Sequence, residues 1–129
     1  MPVDSDLALK DDTPMPAVSY LDAVRGVSMM GSDTSLRKIL STVHASMSAS
    51  LPDITQALAQ ADVPRANALL HAMKGYLPIF AVDALAEEVT EVEFLSKTGT
   101  ADVVAPRYAL VAPKLAQLQD EIGRYLATT

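Results

Sequence analysis

Asn67-Ala68-Leu69-Leu70-His71-Ala72-Met73-Lys74-Gly75-Tyr76-Leu77 carries apolar residues at helical spacing. Ala66, Leu70, Met73, Leu77 and Phe80 recur at three- and four-residue steps, which predicts a helix with one apolar stripe turned to a core. At about 100° per residue His71 falls well off that stripe, on a second face with Asn67, Lys74, Gly75 and Pro78. Asp62-Val63-Pro64 opens the helix with a capping acid and a proline in the first turn, where a missing N–H costs nothing. The helix is expected to reach about Phe80, with Pro78 disturbing its last turn.

The same pattern extends in both directions. Met1 to Pro16 holds Asp4, Asp6, Asp11 and Asp12 with three prolines, and residues 1–18 are expected to form a mobile tail. A short helix is expected over Tyr20 to Met30, with Ser19 as N-cap, Tyr20, Leu21, Val24, Val27 and Met30 available to pack, and Gly31 as its end. Ser32 or Asp33 caps a longer helix whose stripe is Leu36, Leu40, Val43, Met47, Leu51, Ile54 and Leu58, with a kink or break expected near Ser50 because Pro52 lacks a donor. His44 lies at the flank of that stripe and is read as a partly buried structural histidine.

After a bend near Ala81 to Asp83, Leu85, Val89, Val92 and Leu95 form another stripe, with Phe94 beside it and Glu87, Glu88, Glu91 and Glu93 as the polar side. Lys97-Thr98-Gly99-Thr100 is a helix stop. The last helix begins around Ala101 to Pro106 and carries Tyr108, Val111, Leu115, Leu118, Ile122 and Leu126, with Pro113 as an expected kink. Short connections between long amphipathic helices predict an all-α fold: an antiparallel four-helix bundle with a short additional N-terminal helix, one domain over residues 19–129.

Composition agrees. Half of the 129 residues are hydrophobic and only 5% are aromatic, a helical rather than a β-rich profile. With no cysteine, thiolate metal sites, disulfides and cysteine nucleophiles are excluded. A net charge of −6 argues against nucleic acid as partner. No apolar run approaches the ~18 residues of a membrane span, and the acidic N-terminus is unlike a signal peptide. A cytoplasmic protein without a membrane partner is expected.

No G-x-S-x-G elbow marks a serine nucleophile, and the five glycines are too scattered for a phosphate-cradling loop. His44, His71 and the carboxylates of Glu87 to Glu93 are the only metal-ligand candidates, and no Glu-x-x-His motif brings them together, so no metal or other cofactor is expected. His71, Lys74 and Gly75 remain. An imidazole nitrogen is nucleophilic near neutral pH and can accept a phosphoryl group. An ammonium one turn away can offset the phosphoryl charge, and glycine on the same face leaves space. On spacing alone His-x-x-Lys-Gly is a weak signal.

His71-Ala72-Met73-Lys74-Gly75 on an Ala-rich helix, a small residue at Ala81 and Leu85 opening the next helix resemble the histidine-containing phosphotransfer (HPt) domain of two-component phosphorelays. The resemblance extends over about residues 20 to 127, including Val92-Glu93 on the neighbouring helix. It implies that His71 is phosphorylated, that Lys74 steadies the phosphoryl group, and that Gly75 keeps the face open. Glu93 falls where the family has a glutamine or glutamate that hydrogen-bonds the imidazole; a solvated acid is the other reading of that residue. The implied partners are the receiver domain of a hybrid sensor histidine kinase and a response regulator, docking on the His71 face at Asn67, Ala68, Tyr76 and Pro78. Mg2+ is expected on the receiver rather than here, and the chain is expected to be a monomer and a carrier, not an enzyme. The chain departs from the family at Tyr76-Leu77-Pro78, where small polar residues are usual, and at Ala81, where glycine is usual. A helical adaptor or inhibitor that binds a signalling kinase or receiver without being phosphorylated is the alternative function.

Overall fold

A computed structural model describes residues 18–128. The tail expected over residues 1–18 lies outside the described residues except for Val18. The described residues are all-helical: five helices, α1 (Ala23–Met30), α2 (Asp33–Ala59), α3 (Val63–Phe80), α4 (Asp83–Ser96) and α5 (Ala101–Ala127), with one isolated β-bridge between Leu21 and Ala81. α2 packs on α3 and α5, α4 packs on α3 and α5, and α1 lies across α2 and α3.

The predicted stripes make the core. On α3, Ala66, Leu70, Met73, Leu77 and Phe80 are all at most 1% exposed. Leu36, Leu40, Val43, Met47, Ile54 and Leu58 of α2 face Val104, Tyr108, Val111, Leu115, Leu118 and Ile122 of α5, with Leu51 and Leu126 packed at the margin. Leu85, Val89 and Val92 close the core from α4, whereas Phe94 points outward. His44 is half-buried on α2 against Gly123 of α5, where a Cβ would stand 3.1 Å from its Nε2.

One helix boundary and one expected break need correction. α1 begins at Ala23 rather than Tyr20, and its N-cap is Asp22, which accepts from the Arg25 N–H, rather than Ser19. The reason lies in α5. The Glu121 carboxylate accepts from the backbone N–H groups of Tyr20 and Leu21 (both 2.9 Å) and from the Ser19 hydroxyl, so these residues run extended against Ala81 instead of starting a helix. Val24 is 84% exposed and does not pack. α2 stays helical through Pro52, and α5 through Pro106 and Pro113, so of the kink or break expected near Ser50 the break does not occur. A single proline removes one ladder bond and crowds the carbonyl four residues back; here Pro52 and Pro113 border an open apolar groove of about 710 Å3 between the two helices. α3 likewise continues through Pro78 to Phe80.

The connection that aims α3 is tight. Ala61 takes a left-handed conformation (φ 59), and the Asp62 N–H returns to the Ala57 carbonyl at 2.7 Å, closing α2. Asp62 then caps α3 by accepting from the Arg65 N–H. At the other end, Arg25 of α1 donates to the Ala81 carbonyl at 3.0 Å and pairs with Asp83 at 2.9 Å, fastening the α3–α4 corner.

Glu121→Ala is therefore expected to free the strand-like entry and to cost about 1–3 kcal/mol, because it leaves two backbone donors without a partner. Urea unfolding measures the loss, and amide exchange should accelerate first at Tyr20 and Leu21. Unchanged protection there would refute the role given to Glu121.

Candidate functional site

The second face of α3 meets α4. His71 sits midway along α3 with its side chain 68% exposed, whereas the Glu93 side chain opposite it on α4 is 1% exposed. Its Nδ1 lies 3.4 Å from Glu93 Oε2, a long hydrogen bond. Lys74 Nζ donates to Glu93 Oε1 at 3.1 Å, and Lys97 Nζ stands 4.0 Å from the same oxygen. Asn67 Nδ2 donates to Ser96 Oγ at 2.8 Å and lies within 3.3 Å of both the Glu93 carbonyl and its Oε2. The Ser96 hydroxyl in turn donates to the Glu93 carbonyl at 2.7 Å.

The reading of Glu93 as part of a solvated acidic side is thus overturned. Glu87 and Glu91 are exposed and Glu88 is half-buried, but Glu93 is enclosed. A buried carboxylate needs donors and a counter-charge, and one row of α3 provides them: Asn67, His71 and Lys74, spaced four and three residues apart on a single face. Burial pushes the Glu93 carboxyl upward. The hydrogen bond and charge of Lys74, the charge of Lys97 and the His71 hydrogen bond outweigh it, and the group is held below the ordinary glutamate value.

The Glu93 carboxylate can only accept, so the bond to His71 requires the proton on Nδ1. In the neutral ring the Nε2 lone pair is then free, and the ring reaches solvent. A Cβ placed on Gly75 would meet nothing within 4 Å, so the surface beside the histidine is open. Ala68 and Pro78 are exposed near the same row. Tyr76 is turned inward: it is half-buried and its ring stacks on Phe80, with centroids 6.0 Å apart and planes inclined by 15°. Burial raises its hydroxyl to about 12, so it stays protonated at neutral pH.

Sequence reasoning placed His71, Lys74, Gly75 and Glu93 at the site, and the structure brings them together. It missed Ser96 and Lys97, and it placed Asn67 on a partner face although Asn67 is tied to α4. The signal for Ser96 was present: Val89, Val92, Glu93 and Ser96 stand at i, i+3, i+4 and i+7, the spacing of a buried face. Among the described residues no group of three histidines or carboxylates could hold a metal ion, and no helix is long and apolar enough to cross a membrane. No family model, curated protein or solved structure matches the chain.

The depressed glutamate predicts a pH dependence. A group whose folded pKa lies below its unfolded value stabilises the fold above the unfolded pKa, and that contribution is lost as pH falls through the folded one. Between about pH 5 and about pH 3 the wild-type urea midpoint should therefore fall more steeply than that of Glu93→Gln, which has no carboxyl to titrate. Parallel profiles would show that Glu93 pairing does not contribute.

Proposed function

We propose that this chain is a phosphorelay carrier of the HPt kind. In this reading α2 to α5 form an antiparallel four-helix bundle with α1 laid across it, and residues 19–129 are one domain. The observation that carries the proposal is the state of His71: an exposed imidazole tethered through Nδ1 to a buried carboxylate, with an ammonium one turn away.

The chemistry follows from the tautomer. The Nε2 lone pair of neutral His71 attacks the phosphorus of an aspartyl phosphate on a receiver domain. The N–P bond forms, the P–O bond to the aspartate breaks, and the aspartate leaves as a carboxylate. Nδ1 keeps its proton and the ring becomes cationic, a charge that Glu93 balances. The reverse attack by a response-regulator aspartate returns His71 to the neutral ring, so transfer is reversible. Positioning and charge are the main requirements of phosphoryl transfer. The receiver brings its own Mg2+, and His71 needs no ATP site beside it. The open surface at Gly75 and the exposed Ala68 and Pro78 give a partner room to reach Nε2.

Incubation with a phosphorylated receiver domain, or with a hybrid kinase and ATP, should give an acid-labile, alkali-stable label. His71→Gln should carry none, and a label persisting in that variant would sink the assignment. No label with any cognate partner would favour the adaptor function. Lys74→Ala should fold and still be labelled, with transfer slowed or phosphohistidine lifetime shortened by about 3- to 5-fold, less than the full worth of a charge-assisted hydrogen bond because Lys74 must leave Glu93 to serve the phosphoryl group. An unchanged rate and lifetime would remove Lys74 from the mechanism.

A further inference from the structure

Lys74 and Lys97 approach the same atom. Lys74 Nζ is 3.1 Å from Glu93 Oε1, and Lys97 Nζ is 4.0 Å from it. They come from different elements, Lys74 from α3 and Lys97 from the C-cap of α4. Lys97 also rests over the exposed ring of Phe94, 5.7 Å from its centroid, in a cation–π arrangement. Its side chain is 50% exposed against 29% for Lys74. One lysine is engaged with the buried carboxylate, while the other stands just outside hydrogen-bond reach.

Charge decides what this pair is for. In the resting site the single negative charge of Glu93 faces the Lys74 ammonium. A phosphoryl group on His71 adds about −1.5 to −2 at neutral pH, and Lys74 is then asked to serve two anions. Drawn toward the phosphoryl group, it leaves Glu93 Oε1 without a donor in a buried position, since the imidazolium reaches only Oε2, and an unpaired buried oxygen is costly. Among the described residues, Lys97 is the other lysine within 4.0 Å of Glu93.

We infer that Lys97 is the reserve counter-ion of Glu93. It closes on Oε1 when Lys74 turns to the phosphoryl group and returns to the Phe94 ring when the phosphoryl group departs. The inference rests on the carrier reading for its timing, but not for the exchange itself. Lys97 is a positioning residue: it touches neither the phosphoryl group nor Nε2, and it keeps Glu93 ionised and hydrogen-bonded to His71 while Lys74 is away.

Two measurements separate these parts. In the unphosphorylated protein, Lys74→Met and Lys97→Met are each expected to leave Glu93 with one lysine and to raise the unfolding equilibrium constant by about 2- to 5-fold. The double variant, with neither, should exceed the product of the two by about 5-fold or more. Effects that simply multiply would overturn the inference, whatever His71 does. Lys97→Arg should behave as wild type in the same cycle, because it restores a cation on that side. Failure of that rescue would reduce Lys97 to a packing role.

The second measurement uses phosphoramidate, whose P–N bond breaks with loss of ammonia as the phosphoryl group passes to an imidazole. Mass spectrometry of wild type, Lys97→Met and His71→Gln reports the adduct. Urea unfolding at mildly alkaline pH, where phosphohistidine persists, then compares the two states. Lys97→Met should destabilise the phosphorylated protein by about 5-fold more than the unphosphorylated one, since one charge-assisted bond is then lost. A purely structural lysine would give the same loss in both states, and that result overturns the hand-over alone. Absence of an adduct at His71 overturns the carrier reading and the timing together, while the double-variant result would still stand.

Discussion

A carboxylate at 1% exposure between two helices dictates much of what surrounds it. Glu93 cannot be left without donors in the interior, and its donors come from one row of α3. Each of them, Asn67, His71 and Lys74, follows directly on a core residue, Ala66, Leu70 and Met73. Helical pitch that buries the apolar stripe therefore also carries a polar row about 100° round the helix, aimed at the seam with α4. A slip of α3 along α4 would separate all three from Glu93 at once. The polar row thus fixes a register that apolar packing alone would leave looser.

Glu121 makes an instructive contrast. It too is held below the ordinary glutamate value: burial pushes it upward, but hydrogen bonds from Gln117, from the backbone at Leu21 and Tyr20 and from Ser19 prevail. Two of its partners are backbone N–H groups, which cannot leave without unravelling the entry to α1. The partners around the Glu93 carboxylate are side chains, and two of them are lysines, Lys74 bonded to Oε1 and the more exposed Lys97 4.0 Å from it. The first carboxylate is a fixed fastening. The second can exchange partners while the helices stay where they are, which is what a site responding to an added charge requires.

Much of this was legible in the residues. The stripes on α2, α3 and α5 specify a helical core because three- and four-residue spacing survives single prolines, which cost one ladder bond but leave a long apolar face intact. For the same reason the break expected at Pro52 is absent. What sequence spacing does not carry is contact between distant segments. Tyr20 and Leu21 have helical neighbours and an acceptable cap before them, but Glu121, a hundred residues on, takes their N–H groups first. Glu93 was grouped with Glu87, Glu88 and Glu91 by residue type, although its spacing from Val89, Val92 and Ser96 places it on the inward face. Lys97 is the helix stop that the sequence suggests, and its four-residue spacing from Glu93 puts its ammonium beside that buried acid as well.

The resting pair of Lys74 and Glu93 bears on how a carrier of the proposed kind would work. A cation already bound to a carboxylate gives a phosphoryl group only the difference between the two attachments, not the full strength of a fresh ion pair. That difference is small by design of the charges: one acid gives up a lysine as another anion takes it. A group held by a large surplus would be slow to leave, and a carrier has to release as readily as it accepts. A free lysine beside His71 would bind the phosphoryl group more tightly and deepen that trap. Pairing the lysine in advance with a buried acid flattens the exchange. The same acid holds the imidazole by Nδ1, so in a carrier of the proposed kind one side chain on α4 would set both the aim of the nucleophile and how strongly its cargo is retained.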